Sequence, residues 1–500
     1  MAPEIDQHQP RPTSVPGHGE NEGCQVSQFY NDREVLITGG TGFVGKVLLE
    51  KLLRSCSGLK RVYLLVRNKK GQRPQARLEE MFGSQVFDRL KKEQPGAFAK
   101  VTAVAGDLVQ PGLGLGASDR ATLVHNVSVV FHSGAVIKFN ETFRKAYEVN
   151  VLGTKRVMEL CRQMPGIHAL VHVSTAYCNC DKLDVHEVIY PPCEDLQEFM
   201  EYCESAAECV QDTTEGGLFG HPNTYTLSKI MAEYLLLEKR ENVPVSIVRP
   251  STIAASLREP LPGWVDNYNG ITGITVALGL GLLPSLLAKK EDLVDIVPVD
   301  IVANTLICAA WRTATTRQTY VKAYHCTSGT LKQQTWSELV DSMQTAIVKY
   351  PLPDAVCYPK FTVTRSQLWY DINLYCKRFV PAQAADLALQ LMRREPRFVR
   401  HYTKTFNIDM RSVDWYPYWD QCLLGIRKHL FKAEVSELSK ARKRLTWLYA
   451  RRLSLKVFLI GLVCPLLATQ TAWDIGSMAT LLGLQFTEPL CAIADLPPKL

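Results

Sequence analysis

The stretch VLITGGTGFVGKVLLEKLL, residues 35 to 53, constrains the fold of this chain more than any other. An apolar run enters a cluster of glycines and leaves as an amphipathic helix. The cluster reads TGxxGxxG between a strand and a helix, the context of a dinucleotide-binding loop, and consists of Thr38, Gly39, Gly40, Thr41, Gly42, Phe43, Val44 and Gly45. Gly39 permits the tight turn, Gly42 lets the backbone approach a pyrophosphate, and Gly45 lets the helix pack closely against the strand.

Strand-like and helix-like segments alternate from Glu34 to about residue 310. The runs VLIT, RVYLLVR, KVTAVAGDL, VSVVFHSGA, ALVHVSTAY and VSIVRPS are almost entirely apolar, which is typical of strands buried on both faces. Helical patterns such as YTLSKIMAEYLLLEKR fall between them. Repeated βαβ units predict an α/β fold, a doubly wound parallel sheet of the Rossmann type, over residues 29–330.

The end of the second strand indicates which dinucleotide binds. Sites that bind NAD usually carry an acidic residue there, about 20 residues past the glycines, to hold the ribose 2′-hydroxyl. Here the predicted strand in RVYLLVRNKK ends at Arg67, and a guanidinium suits the 2′-phosphate of NADPH. Asp107 in AGDL is expected beside the adenine, and Ser133, Gly134 and Ala135 in HSGAV are expected beside the nicotinamide.

The segment HPNTYTLSK supplies a candidate proton donor. Tyr225 and Lys229 are spaced i and i+4, so both side chains lie on one face of a helix. A cationic lysine near a phenol lowers the phenol pKa and makes it a usable acid near neutrality. The same ammonium can hold the nicotinamide ribose. A hydroxyl from Ser174 or Thr175, at the carboxyl end of a strand, can complete the group by hydrogen-bonding a substrate carbonyl oxygen.

TGxxGxxG followed by YxxxK resembles the extended short-chain dehydrogenase/reductases. Longer segments resemble the alcohol-forming fatty acyl-CoA reductases, or male-sterility-type reductases: VYLLVRNKK, VHVSTAYCNC, HPNTYTLSKIMAE, IVRPSTI and EPLPGWVDN. The match runs from about Phe29 to Phe431. It implies reduction of a long-chain fatty acyl-CoA to a primary alcohol with two NADPH. It places the catalytic hydroxyl at Thr175 or at its neighbour Ser174, with Tyr225 and Lys229 as acid and support.

Two departures from the family pattern stand out. HSGAV has Gly134 where the family usually shows alanine, which loosens the nicotinamide wall. From Ile271 to Ala288 there are 18 residues without charge, more apolar than the usual family version and near membrane-span length. Because glycines and a proline interrupt this stretch, a buried wall or interfacial loop for the acyl chain is favoured over a transmembrane helix.

The segments outside the sheet differ in composition and sequence pattern. Residues 1–28 are polar and rich in proline and glycine, which predicts a disordered leader and no secretory signal. Residues 355–445 are aromatic-rich and helical in pattern, without strand alternation. Basic residues interleaved with aromatics precede an apolar run, which predicts a membrane-seeking tail with a candidate anchor at 453–473, spanning or interfacial, before a terminal segment at 474–500.

The tail predicts membrane association with the catalytic domain facing the cytosol. The chain ends Pro498-Lys499-Leu500, close to a peroxisomal address, so peroxisome and endoplasmic reticulum membranes both stay open. A net charge of +7 is too small to indicate nucleic acid. The pair Cys178 and Cys180 has no second pair at zinc spacing, so no metal site is predicted. A homo-oligomer is compatible with the sequence.

Other functions share the same motifs. One is another extended reductase: an aldehyde-forming acyl reductase, or a sterol or nucleotide-sugar dehydrogenase. A different class is a non-catalytic scaffold that binds NADPH to regulate a partner. The basic, aromatic tail disfavours a sugar-nucleotide enzyme, and retention of both Tyr225 and Lys229 disfavours the scaffold.

Overall fold

A computed structural model describes residues 25–68, 71–182, 184–205, 219–316, 320–366, 368–369 and 414–468. Most of the predicted leader 1–28, the last part of the candidate anchor 453–473, and the segment 474–500 lie outside the described residues. Much of the predicted helical region 355–445 also lies outside them. The predictions made for those residues stay predictions.

The strands and helices follow one another in the alternation that the sequence predicts. The strands are β1 Glu34–Thr38, β2 Arg61–Val66, β3 Val101–Ala105, β4 Val127–His132, β5 Ala169–Val173, β6 Val245–Pro250, β7 Thr252–Ala254, β8 Ser285–Leu287, β9 Ile296–Pro298, β10 Lys322–Cys326 and β11 Thr362–Thr364. The α-helices are α1 Gln25–Phe29, α2 Phe43–Ser55, α3 Pro74–Phe82, α4 Asp88–Glu93, α5 Ala117–Asn126, α6 Phe143–Ala146, α7 Gly153–Arg162, α8 Glu194–Ser205, α9 Thr224–Lys239, α10 Gly270–Gly279, α11 Val299–Thr316, α12 Trp336–Lys349, α13 Trp415–Gly425 and α14 Leu438–Ala468. Short 3-10 and π-helical turns lie at Gln85–Phe87, Pro95–Lys100, Pro111–Gly114, Tyr147–Leu152, Ala176–Asn179, Ile426–Leu430 and Val435–Glu437.

The main sheet has the strand order β10-β6-β5-β4-β1-β2-β3, and its neighbours pair in parallel. The order reverses between β1 and β4. In open parallel sheets, ligands bind beyond the carboxyl ends of the strands at such a reversal. The topology therefore places the glycine-rich loop, which follows β1, at the position where this class of sheet binds its ligand.

Alternate residues of β1 enter two different cores. Val35 and Ile37 belong to a large apolar cluster on one face of the sheet, and Leu36 belongs to a second cluster on the other face. This is why the strand sequences are continuously apolar instead of alternating. The prediction of a doubly wound parallel sheet is confirmed.

Two short strands differ from the sequence prediction. Lys322–Cys326, the seventh strand of the main sheet, pairs only with β6 among the described strands, and its half-exposed residues hide the pattern of a buried strand. Thr362–Thr364 pairs with Ser285–Leu287, a short strand within the predicted helical region that the sequence did not indicate. Three-residue strands are too short to produce a readable period.

The described C-terminal helices pack on the sheet domain. Trp415 and Trp419 of α13 are buried in the same cluster as Val35 and Ile37, and the Tyr418 hydroxyl donates to the carbonyl oxygen of Ala255 at 2.8 Å. Helix α13 therefore shares a core with the sheet.

The uncharged stretch from Ile271 to Ala288 is not one long helix. It begins in the ten-residue helix Gly270–Gly279, turns, and ends in β8, with Ile271, Val276 and Leu278 buried in the main core. This agrees with the preference for a segment that does not span a membrane, and its role as a wall or loop for the acyl chain stays a prediction. Within the described ranges, the helices are each too short or too polar to cross a bilayer.

Candidate active site

The glycine-rich loop closes tightly between β1 and α2. Gly39 has a φ of +72°, and a Cβ there would lie 2.6 Å from the amide nitrogen of Gly134. A Cβ at Gly45 would lie 2.3 Å from the carbonyl oxygen of Gly39. A side chain at either position forces the backbone apart. Gly42 is the N-cap of α2, and no side chain caps it, so the first N–H groups of the helix can bind an anion.

A cavity of about 1010 Å³ opens beside this loop, large enough for an extended dinucleotide. Its walls come from the ends of β1 to β4 and from the segment that follows β4. Nine of the predicted cofactor residues line it: Thr38, Gly39, Thr41, Gly42, Arg67, Asp107, Ser133, Gly134 and Ala135. The residues present therefore fit a nicotinamide dinucleotide, although their individual contacts with it stay predictions.

The other four residues of the glycine motif do not line the cavity. A Cβ at Gly40 would meet the Leu64 side chain at 2.8 Å, so this glycine faces β2. The Phe43 ring packs on Trp264 with centroids 4.7 Å apart, and Val44 packs against the main core. Together with Gly45, these residues lie outside the cavity lining, and their predicted part in cofactor binding stays a prediction.

Arg77 is a cavity residue that the sequence analysis did not identify. It lies on α3, and its guanidinium donates to the backbone carbonyl oxygen of Arg67, so a second arginine side chain joins Arg67 in lining the cavity at the end of β2. Burial and the neighbouring Arg67 lower the pKa of Arg77. The sequence feature that could have identified this residue is a second arginine ten residues after Arg67.

Tyr225 lies in the first turn of α9, whose start is fixed by a cap. The Asn223 side chain accepts a hydrogen bond from the Thr226 amide at 2.9 Å. This places the Tyr225 phenol beside the Thr175 hydroxyl, close enough for that hydroxyl to lower the phenol pKa. The Ser174 hydroxyl instead faces the Cys178 thiol. Of the two candidate hydroxyls, the structure therefore brings Thr175 to the phenol.

Lys229 lies one helical turn beyond Tyr225 and is buried. Its ammonium donates to the carbonyl oxygen of Val173 at 2.7 Å, at the carboxyl end of β5. Neither Tyr225 nor Lys229 lines the cavity, but the neighbouring Thr224 hydroxyl donates to the carbonyl oxygen of Glu141 on the cavity wall at 2.9 Å. Since β5 adjoins β4 and β4 adjoins β1, the pair lies at the same edge of the sheet as the glycine loop.

The titration of this pair differs from the sequence prediction. Burial raises the pKa of Tyr225 to about 12, against a lowering contribution from the Thr175 hydrogen bond. Burial lowers the pKa of Lys229 to about 8, which Glu233 partly offsets. The prediction that Lys229 lowers the phenol pKa is wrong for this structure, because desolvation raises that pKa and Lys229 is not among the groups that shift it. Tyr225 is a protonated hydroxyl donor at neutral pH.

A fully buried ion pair connects helix α9 to strand β6. The Arg249 guanidinium of β6 donates from Nη2 and Nε to the Glu233 carboxylate at 2.6 and 3.0 Å, and both side chains are 0% exposed. The Cys178 thiol donates to the same carboxylate at 3.3 Å. Glu233 lies four residues after Lys229 on the same helix face, a spacing that could have identified it in the sequence.

Fold and site together define a nicotinamide-dependent oxidoreductase of the extended short-chain dehydrogenase/reductase type. An NAD-binding family described as male sterility protein matches residues 37–306. Fatty acyl-CoA reductase 1 of Xenopus laevis and of Homo sapiens are each 35% identical over 475 residues, which cover 88% of this chain and 92% of theirs. Fatty acyl-CoA reductase 2 of Mus musculus is 32% identical over 457 residues, 84% of this chain and 89% of its own.

The chain belongs to the fatty acyl-CoA reductase family, as its motifs predicted. Among solved structures, the terminal R domain from the myxalamid PKS-NRPS biosynthetic pathway has a similar fold. The TM-score is 0.53 at 20% sequence identity, covering 79% of this chain and 90% of that domain.

Proposed function

We propose that this protein reduces long-chain fatty acyl-CoA to primary alcohol and free CoA, using two NADPH per acyl group. The placement of the Tyr225 phenol beside the Thr175 hydroxyl, at the sheet edge that also carries the dinucleotide cavity, carries this assignment. The identity to the fatty acyl-CoA reductases over most of the chain supports the substrate class. One thioester, two NADPH and two protons yield one alcohol, one CoA thiol and two NADP⁺.

The chain's own groups act on the carbonyl oxygen. When bound, the nicotinamide supplies the hydride for each of the two reductions. The hydroxyls of Tyr225 and Thr175 donate to the oxygen on which negative charge develops, and Tyr225 transfers its proton to that oxygen. A raised phenol pKa keeps this proton in place until the charge forms. The Lys229 ammonium, buried one turn away, stabilises the phenolate left behind.

NADPH rather than NADH is the proposed reductant. The supporting observation is the pair Arg67 and Arg77, which meets at the end of β2 where a ribose 2′-phosphate would bind. Guanidiniums form strong, charge-assisted hydrogen bonds with phosphate oxygens. Their hydrogen bonds with an uncharged 2′-hydroxyl are weaker.

The acyl chain is proposed to lie along the segment that follows β6. The Tyr177 hydroxyl, two residues beyond Thr175, shares a 3.1 Å hydrogen bond with the Thr252 hydroxyl. The Thr252 methyl group in turn lies beside Gly270, at the start of the apolar helix α10. A continuous set of contacts therefore leads from the reacting hydroxyl to the uncharged stretch 271–288.

The test is to incubate the purified protein with NADPH and palmitoyl-CoA and to identify extracted lipids by mass spectrometry. We expect hexadecanol, one CoA thiol per alcohol and two NADPH consumed. Aldehyde as the sole product supports an aldehyde-forming reductase. No product from a panel of acyl-CoAs, together with NADPH binding, supports the scaffold instead.

We also propose that helix α14 binds a membrane surface. Its exposed apolar residues, Trp447, Leu453, Leu455, Val457 and Phe458, are interleaved with basic ones such as Arg451. Full-length protein is expected to co-sediment with vesicles containing phosphatidylserine and less with purely zwitterionic ones. Equal recovery in the supernatant with both vesicle types contradicts this proposal. The organelle and a homo-oligomeric state stay predictions.

A further inference from the structure

A buried chain of hydrogen bonds connects the glycine-rich loop to the helix that carries Tyr225. It starts at Thr38, the residue before Gly39. The Gly134 amide donates to the Thr38 hydroxyl at 3.2 Å, and the Thr38 hydroxyl lies 2.7 Å from Nδ1 of His132. On the other side of the ring, Nε2 lies 2.9 Å from the hydroxyl of Thr154.

The chain continues through the turn that carries Asn150. The Thr154 hydroxyl donates to the carbonyl oxygen of Asn150 at 2.6 Å. The Asn150 amide nitrogen donates to the Ser228 hydroxyl at 2.9 Å, and that hydroxyl donates to the carbonyl oxygen of Tyr225 at 2.9 Å. Asn150 also holds both backbone groups of Val136, on the cavity wall, at 2.8 and 3.0 Å.

These bonds determine the tautomer of His132. Since the Thr154 proton is used on the Asn150 carbonyl, the Thr154 oxygen must accept from Nε2–H. Nδ1 is then the acceptor, and Thr38 donates to it. Burial, with a smaller effect of Lys229, lowers the pKa of His132 to about 3, so the ring is neutral at working pH. A neutral ring of one tautomer is a directional link that accepts from one side and donates to the other.

We propose that His132 is a positioning residue that holds the dinucleotide loop in a fixed relation to the Tyr225 helix. The proposal rests on the proposed cofactor site. His132 is 1% exposed and lines no part of the described cavity wall, so it acts through Thr38 and Thr154 rather than by contact with the substrate. Loss of its two bonds leaves the Thr38 hydroxyl without an acceptor for its proton and the Thr154 oxygen without its donor, although each hydroxyl keeps its other bond.

His172 provides a matched control. It is the register partner of His132 on β5, is 2% exposed, and has its ring centroid 5.1 Å away. Among the described residues, neither nitrogen of its ring has a hydrogen-bond partner. Replacement of His172 therefore changes the core packing next to His132 without removing any hydrogen bond of the series from Thr38 to Tyr225.

The experiment compares the full-length His132→Leu, His132→Gln and His172→Leu variants. It measures the Kd of NADPH from nicotinamide fluorescence and the turnover rate at saturating NADPH and palmitoyl-CoA. We expect His132→Leu to raise the Kd and to lower the saturated rate by about tenfold each, since each end loses a buried hydrogen bond. His132→Gln, whose amide both accepts and donates, should recover most of both losses, and His172→Leu should preserve both values within about threefold.

Thr154→Val covers the case in which His132→Leu does not fold, because it is isosteric and breaks only the link toward α9. It should lower the saturated rate more than it weakens NADPH binding. The proposal is overturned if His132→Leu behaves like His172→Leu, if His132→Gln restores neither quantity, or if Thr154→Val changes neither. A wild-type protein that binds no NADPH contradicts the proposed function itself, a result separate from these.

Discussion

The Lys229 ammonium donates a 2.7 Å hydrogen bond to the carbonyl oxygen of Val173, the last residue of β5. This bond ties the middle of α9 to the strand end from which Ser174 and Thr175 continue. The Tyr225 phenol, one turn earlier, meets the Thr175 hydroxyl. The hydrogen bond of Lys229 therefore fixes the end of β5 relative to α9. The relative position of the Tyr225 and Thr175 hydroxyls depends on this bond.

Tyr225→Phe tests the proton donor. We expect turnover to fall by about 10² to 10⁴-fold, the usual contribution of general acid catalysis, with the Kd of NADPH nearly unchanged. The measurement is steady-state NADPH oxidation with palmitoyl-CoA, alongside fluorescence titration of NADPH. Tyr234→Phe, a buried tyrosine on the same helix, is the control and should retain activity. Full activity of Tyr225→Phe contradicts the assignment.

The pH profile tests Lys229. Because its pKa is about 8, the ammonium is present below that pH and is lost above it, so kcat should fall as the pH rises through about 8. The free energy of unfolding should change in the opposite direction to kcat as the pH rises. The folded-state pKa is lower than the unfolded value, so deprotonation between pH 8 and about 10.5 favours the folded state.

The control for this profile is the unfolding midpoint over the same pH range. A fall of kcat above pH 8 without a fall in stability supports titration of Lys229. A flat kcat profile up to pH 10 contradicts it.

Arg77→Ala tests the coenzyme preference. Removal of one guanidinium should raise the KM for NADPH by about tenfold and leave the KM for NADH nearly unchanged, since charge-assisted bonds to the 2′-phosphate are lost. Arg73→Ala removes an exposed arginine from the same segment that does not line the cavity, and it should change neither value. Equal effects of Arg77→Ala on both coenzymes argue against recognition of the 2′-phosphate.

Glu233→Gln tests the buried ion pair below α9. Because Arg249 is left as an uncompensated buried charge, the free energy of unfolding should fall by about 3 kcal/mol. Glu291→Gln breaks the solvent-exposed pair with Arg365, in which the side chains of Arg365 and Glu291 are 65% and 69% exposed, and should change the free energy of unfolding much less, because solvent screens that pair. Urea denaturation of both variants provides the comparison, and equal losses contradict the argument.

Much of this protein could be predicted from the sequence because its signals are local. The glycines at 39 and 45 are required by backbone contacts within a few residues of the chain or across one neighbouring strand. Six continuously apolar segments correctly predicted strands of a sheet covered on both faces. The i, i+4 spacing correctly placed Tyr225 and Lys229 on one helix.

What the sequence by itself determined is the βαβ order, the dinucleotide loop and the family, because each is written in short segments with a fixed local geometry. Tertiary structure alone decided that Thr175, not Ser174, meets the phenol, that Arg77 joins Arg67, and that His132 connects Thr38 to Thr154. It also reversed the expected titration of Tyr225. These outcomes depend on which side chains burial brings together from distant segments, and desolvation is a property of the packed site that no spacing of residues records.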